Sequence, residues 1–245
     1  MRYAIISDIH SNIEALSVFF EKAASLGADD IVCLGDIVGY NANPNECVEL
    51  VRKNGVKCVM GNHDARAAGV EAADTFSYLA AESVMWTRGV LTEENSAFLA
   101  SLPRSLYVDN RFLAVHGWIN DIDRYIFGAK DAAMNFKLLK EYRKDARLSF
   151  FGHTHVALSY IETGTGIVMN VDEELQVTKD AACLVNPGAL GQPRDRDPRA
   201  SFAIYDTKKS LVTFYRMEYD IQTTTEKILK AGLPQRLAEG LKLGW

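Results

Sequence analysis

An α/β fold that becomes mostly β in its second half is predicted by three observations. The first 60 residues alternate short apolar runs with helix-length amphipathic stretches, the pattern of a parallel βαβαβ unit. From residue 112 onward short apolar runs dominate. The composition is that of an ordinary globular chain, 48% apolar and 24% charged over 245 residues, enough to bury a sizeable core. No repeat, low-complexity segment or Pro/Ser-rich linker divides it, so one domain over residues 1–245 is expected.

Residues 2–7 read as a buried strand and residues 12–26 as an amphipathic helix, with Ser11 or Asn12 as its cap and Gly27 beyond its end. Residues 31–34 are a second strand. Asn43-Pro44-Asn45-Glu46 opens a helix with a capping-box-like pattern and proline at its first position, and residues 56–60 form a third strand. Helix-sized connections make these three strands parallel. Residues 75–88 and 92–102 read as helices, the second ended by Leu102-Pro103. Strands follow at 112–115, 148–151, 158–161, 167–171, 182–185, 202–205 and 212–215, with a helix near 131–143. Asp206-Thr207-Lys208-Lys209 is a polar hairpin connection, and residues 221–241 look like a terminal helix.

Twenty-seven basic residues against 32 acidic ones leave a net charge of −5, so dedicated nucleic-acid binding is not expected. No apolar run approaches the ~18 residues of a membrane span, and Asp8 interrupts the amino terminus before a signal-type core develops. A cytoplasmic location is therefore expected. Cys33, Cys47, Cys58 and Cys183 lack CxxC spacing and read as small buried thiols.

The chain has only five histidines, and each lies within two residues of Asp, Asn, Gly or another His where an apolar strand ends. In Asp8-Ile9-His10 two ligand-type side chains are two residues apart, so an extended chain presents both on one side. Gly35-Asp36 ends the second strand and Gly61-Asn62-His63-Asp64 the third, the glycines allowing a tight exit or close backbone approach. Adjacent parallel strands thus deliver ligands at their carboxyl ends, where open α/β sheets bind them. His116-Gly117 and Gly152-His153-Thr154-His155 follow two later strands. Carboxylates, an amide oxygen and imidazoles without thiolate suit Mn, Fe, Zn, Ni or Co. Asp8, His10, Asp36, Asn62, His116, His153 and His155 exceed one ion's needs. A carboxylate can bridge two cations ~3.5–4 Å apart, the arrangement that activates a shared hydroxide for phosphoryl displacement.

The order Asp-x-His, Gly-Asp, Gly-Asn-His-Asp, His, Gly-His-x-His resembles the calcineurin-like metallophosphoesterase superfamily, every motif being present from Asp8 to His155. Asn186-Pro187-Gly188 and the run from Gln192 to Ala200 resemble its small prokaryotic phosphodiesterase and diadenosine-tetraphosphatase-related branch. The resemblance spans essentially the whole chain, weakening over residues 65–110 and after Tyr219. It implies a four-layer αββα sandwich, two facing mixed sheets flanked by helices. It also implies two divalent metals, Mn first: Asp8, His10, Asp36 and His155 on one, Asp36 as bridge with Asn62, His116 and His153 on the other. His63 matches the non-ligand histidine facing the leaving group, with Asp64 as its partner.

Arg194, Arg196 and Arg199 fall in a polar loop that is either a solvated face or a two-point grip on phosphate, with Arg194 and Arg199 the substrate candidates beside Asn62. Tyr40 and Asn41 either line the pocket or belong to a turn. Trp86 and Phe98 read as core, and Trp118 is open between core and pocket. The function expected is hydrolysis of a small phosphorylated substrate, a phosphodiester or nucleotide-like phosphate. The alternatives are a phosphomonoesterase, acting on phosphoprotein or dinucleoside polyphosphate, and a non-catalytic scaffold of the same fold.

Overall fold

The computed structural model describes all 245 residues. Two six-stranded mixed sheets face each other. The first has the order β3 (Lys57–Cys58), β2 (Asp30–Cys33), β1 (Arg2–Ile6), β11 (Ala200–Asp206), β12 (Leu211–Met217), β9 (Glu174–Gln176). The second runs β4 (Ser105–Val108), β5 (Phe112–Val115), β6 (Leu148–Phe150), β10 (Ala182–Pro187), β7 (Ala157–Thr163), β8 (Gly166–Asn170). β1, β2 and β3 are parallel, with Ile6 opposite Cys33 and Cys33 opposite Cys58, so their carboxyl ends lie side by side.

Strand alternation sorts the apolar side chains into layers, as a pleated strand buried on both faces requires. Tyr3 and Ile5 of β1, Phe112 and Ala114 of β5, and Cys183 and Val185 of β10 point into a core between the sheets. Ala4 and Ile6 point outward beneath α1 (Ile13–Ser25) and α2 (Pro44–Lys53). Leu113, Ala182 and Leu184 point the opposite way, beneath α6 (Ala129–Tyr142). The result is an α/β sandwich of four layers, and the four cysteines are buried and free.

Asn12 caps α1 by accepting from the Ala15 N–H. Asn43 is the N-cap residue of α2 but bonds Glu46 through its amide instead of accepting a helical N–H. Some elements depart from expectation in extent or number. β3 has two residues where five were expected. Residues 62–67, for which no element was expected, form a short helix, α3 (Asn62–Ala67). α4 (Tyr78–Val90) starts three residues late because Ser77 caps it, and α5 (Glu93–Ala100) follows with Thr92 as cap. The single terminal helix is instead two, α7 (Ile221–Lys230) and α8 (Gln235–Leu243), separated where Gly232 turns at φ +73° and Pro234 removes a donor. β4 and β9 were not expected. No helix is long and apolar enough to cross a membrane.

Candidate metal centre

The exits of β1, β2, β5 and β6 converge at one edge of the sandwich. Asp8, His10, Asp36, His153 and His155 all adopt positive φ, between 47° and 68°. That conformation is uncommon for residues with a Cβ and persists where the surroundings impose it. Here backbone bonds stitch the exits together: Asp8 N–H to Gly35 O at 3.0 Å, His10 N–H to Asp36 O at 2.9 Å, Gly152 N–H to His116 O at 2.7 Å. The close approach depends on glycine. A Cβ on Gly61 would strike the backbone nitrogen and carboxylate of Asp36, and one on Gly39 the His63 ring.

The ligand-type side chains form overlapping groups whose donor atoms lie within 4.8 Å of one another: Asp8, His10 and His155; Asp36, His116 and His153; and His10, Asp36 and His63. Asp36 lies between the histidines of both halves, its Oδ2 3.6 Å from His10 Nε2 and 3.3 Å from His116 Nε2. Asp8 Oδ1 is 3.2 Å from His155 Nε2, and Asn62 Oδ1 is 3.1 Å from His116 Nε2.

Four rings have one nitrogen committed to a carbonyl oxygen, which can only accept. His10 Nδ1 donates to Val38 O (3.0 Å), His116 Nδ1 to Leu34 O (2.9 Å), His155 Nδ1 to Gln192 O (2.5 Å) and His153 Nε2 to Asp123 O (2.9 Å). In the neutral ring the other nitrogen therefore carries a lone pair, the usual preparation of a metal-binding histidine. His10 Nε2 and His155 Nε2, both left with lone pairs, face each other at 3.2 Å. A cation held by both rings would resolve that contact. Asp36 Oδ2 is buried without a hydrogen-bond donor, a further acceptor awaiting positive charge. The residues thus fit divalent cations.

Without metal, the buried carboxylates draw a proton to one of these rings and leave others neutral. Burial disfavours an ionised His116, yet the Asp36 carboxylate outweighs it and pushes the imidazole up to about 9. Burial lowers His153 to about 3 and His10 well below its usual value. Asp8 and Asp36 stay low despite burial because imidazoles surround them, His155 first for Asp8 and His116 first for Asp36.

His63 lines the same cavity, and its backbone N–H donates to Asp36 Oδ1 at 2.8 Å. Its ring lies 4.5 Å from Tyr40 and 4.7 Å from Phe76, with Nδ1 buried and unpaired, and burial lowers it to about 4. The expected Asp64–His63 pair is not formed. Asp64 Oδ2 accepts from Gly61 N–H at 3.0 Å and Oδ1 from Val38 N–H at 3.2 Å, because α3 begins at Asn62 and its third residue turns back to cap it. Burial, then the nearby Asp36 charge, raises Asp64 to about 7. Asp64 thus braces the loops and does not contact the His63 ring.

Of the loop arginines, Arg194 lines the cavity and donates to the Tyr40 hydroxyl at 3.0 Å. Arg199 does not line it: its guanidinium is 2.6 Å from Asp197 on the surface. Tyr40 belongs to the pocket. Trp118 is buried, donates to Tyr125 O at 2.8 Å and carries the Arg124 guanidinium 3.6 Å above its ring. Trp86 packs among apolar residues, as does Phe98.

Sequence reasoning missed the supports. Asp123 acts through a backbone carbonyl, which no side-chain pattern signals, and Tyr125 stacks on His153 at 3.9 Å and 15°. Arg66, buried in α3, reaches Asp123 at 2.9 Å, Glu71 at 2.9 Å and the Asn62 carbonyl at 3.2 Å.

Residues 1–210 match the calcineurin-like phosphoesterase superfamily domain. A crystal structure of a metallophosphoesterase from Sphaerobacter thermophilus is 41% identical, with a TM-score of 0.87 over 100% of this chain and 99% of that one. An uncharacterised protein of Methanocaldococcus jannaschii is 38% identical over 98% of this chain and 97% of its own length. A hypothetical protein of Pyrococcus horikoshii OT3, 20% identical, shares the fold at a TM-score of 0.79 over 100% of this chain and 98% of that one. The chain belongs to the calcineurin-like phosphoesterase superfamily, whose chemistry is hydrolysis of phosphoester bonds.

Proposed function

We propose that this protein is a dinuclear metallophosphoesterase acting on phosphodiester or nucleotide-like phosphates. The observation that carries the reading is the set of overlapping ligand groups, two of which share Asp36, with the rings of His10 and His116 oriented by backbone acceptors. Asp8, His10, Asp36 and His155 would hold one ion, and Asp36, Asn62, His116 and His153 the other, with Mn the first candidate. Bound divalent cations supply Lewis-acid polarisation of a phosphoryl oxygen and of the attacking water.

The protein's own groups do the rest. Asp36 spans both halves and holds the α3 amino terminus through the His63 N–H. Arg194, braced by Tyr40, presents fixed positive charge to a phosphate oxygen. His63, outside both ligand sets and neutral near pH 7, donates a ring N–H hydrogen bond to the departing oxygen; such positioned help is typically worth ~10²–10⁴-fold. Its ring is held by packing between Tyr40 and Phe76, without a carboxylate behind it.

A phosphomonoesterase is the second reading, since the same centre accepts a dianionic phosphate. Mn-supplemented assays on bis-p-nitrophenyl phosphate and p-nitrophenyl phosphate separate the readings: faster diester turnover supports the first, faster monoester turnover the second. A scaffold would cleave neither.

A further inference from the structure

The cavity opening on the metal-facing side chains encloses about 890 Å³, near the top of the ~300–1,000 Å³ range for small-molecule sites and far beyond what a phosphoryl group fills. Part of its wall is built by residues 75–80, leading into α4, and by Arg236, Leu237 and Trp245. The last three lie beyond residue 210, where the superfamily domain match ends. Leu237 shares an apolar cluster with Tyr40 and Ala80. Tyr40 in turn touches His10 and His63, each at 4.5 Å between ring centroids, so this wall is continuous with the phosphoryl end. Its chemistry is aromatic and cationic. Phe76 lines it, the Arg236 guanidinium stands 5.4 Å over the Trp245 ring, and Trp245 is 42% exposed.

We propose that this chamber binds the base of a nucleoside esterified to the phosphoryl group, with Trp245 and Arg236 stacking on the heterocycle. The inference rests on the phosphoesterase reading above and specifies its substrate. A heterocycle offers a π-face to an indole ring and a guanidinium plane, and polar edges to the hydroxyls of Thr75 and Ser77. An acyl chain would offer no acceptor to the hydroxyl protons of Thr75 and Ser77 or to the guanidinium N–H groups of Arg194 and Arg236 that line the cavity.

The test compares thymidine 5′-p-nitrophenyl phosphate with methyl p-nitrophenyl phosphate on the Mn-loaded full chain. Both diesters expel p-nitrophenolate, so the ratio of their kcat/KM values reads the second ester group alone. Wild type should prefer the thymidine ester, and Trp245→Ala or Arg236→Ala should lower the ratio, by about tenfold for Trp245→Ala, the size of one lost base–aromatic stack. A second readout is quenching of tryptophan fluorescence by AMP, present in wild type and lost in Trp245→Phe. A ratio near one in wild type, or one unchanged in both alanine variants, overturns the chamber assignment while leaving the phosphoesterase reading intact. Were neither ester cleaved, that reading would fail, and AMP quenching would still decide the chamber: quenching dependent on Trp245 supports it and its absence overturns it.

Discussion

Asp36 is the side chain on which both halves of the site depend. Its Oδ1 accepts the His63 N–H while Oδ2 stands between His10 and His116. Asp36→Asn keeps the shape but removes a charge that would face both ions of the proposed centre, so metal content should fall below one ion per chain. Activity should drop by more than the ~10–100-fold typical of losing an outer partner. Elemental analysis alongside turnover checks both. His63→Ala behaves differently: both metals stay, and turnover falls by ~10²–10⁴-fold on esters with alkoxide leaving groups. Because p-nitrophenolate leaves without a proton, the defect should shrink as leaving-group pKa falls. Equal defects across a leaving-group series would show that His63 only positions or stabilises charge. The motif residues were legible in the sequence because each lies within five residues of the end of an apolar strand. The role of Asp64 was not, because a carboxylate next to His63 in sequence points away from it once α3 turns.

At the level of elements, α3 and the segment 118–128 form the seat of the second half of the site. Arg66 holds them together: it grips Asp123, whose carbonyl fixes the His153 tautomer, and the carbonyl of Asn62. Arg66→Ala should weaken the ion proposed for Asn62, His116 and His153 by about 10–100-fold while sparing the other, as loss of an outer support does. Stepwise metal titration by calorimetry would show one weakened and one unchanged site; equal weakening of both would make Arg66 a general stability residue. Its partners Glu71 and Asp123 are partly exposed, so the cost of leaving them unpaired is limited. This seat was invisible to periodicity. α3 has six residues, all buried, and therefore no polar face to set a helical repeat. β4 and β9 are short, and β4 borders residues 102–104, where a proline suggested only the end of a helix. The parallel β1–β2–β3 unit was readable because its strands are apolar on both faces and its crossovers helix-sized.

For the whole molecule, the buried imidazoles make the metal-free chain sensitive to acid. His10, His63 and His153 are depressed below their usual value, to about 4 for His63 and about 3 for His153. The unfolded chain therefore binds their protons first, and their contribution to stability, complete above about pH 6.5, is lost as pH falls toward 4. Asp64, raised to about 7, opposes this with one carboxyl, and His116, raised to about 9, is protonated in both states below pH 6.5. Three imidazoles outweigh one carboxyl, so the denaturant midpoint of EDTA-treated protein should fall between pH 7 and pH 5. Added Mn should raise the midpoint at pH 7, by mass action on the folded state, and raise it less at pH 5, where protons compete for the same nitrogens. The measurement that bears most directly on the account is hydrolysis of bis-p-nitrophenyl phosphate by metal-stripped protein during stepwise addition of Mn. Turnover should appear mainly with the second equivalent, and Asp36→Asn should abolish that step. Full turnover at one equivalent, or none at saturating metal, would contradict a phosphoesterase centre built from two ions sharing Asp36.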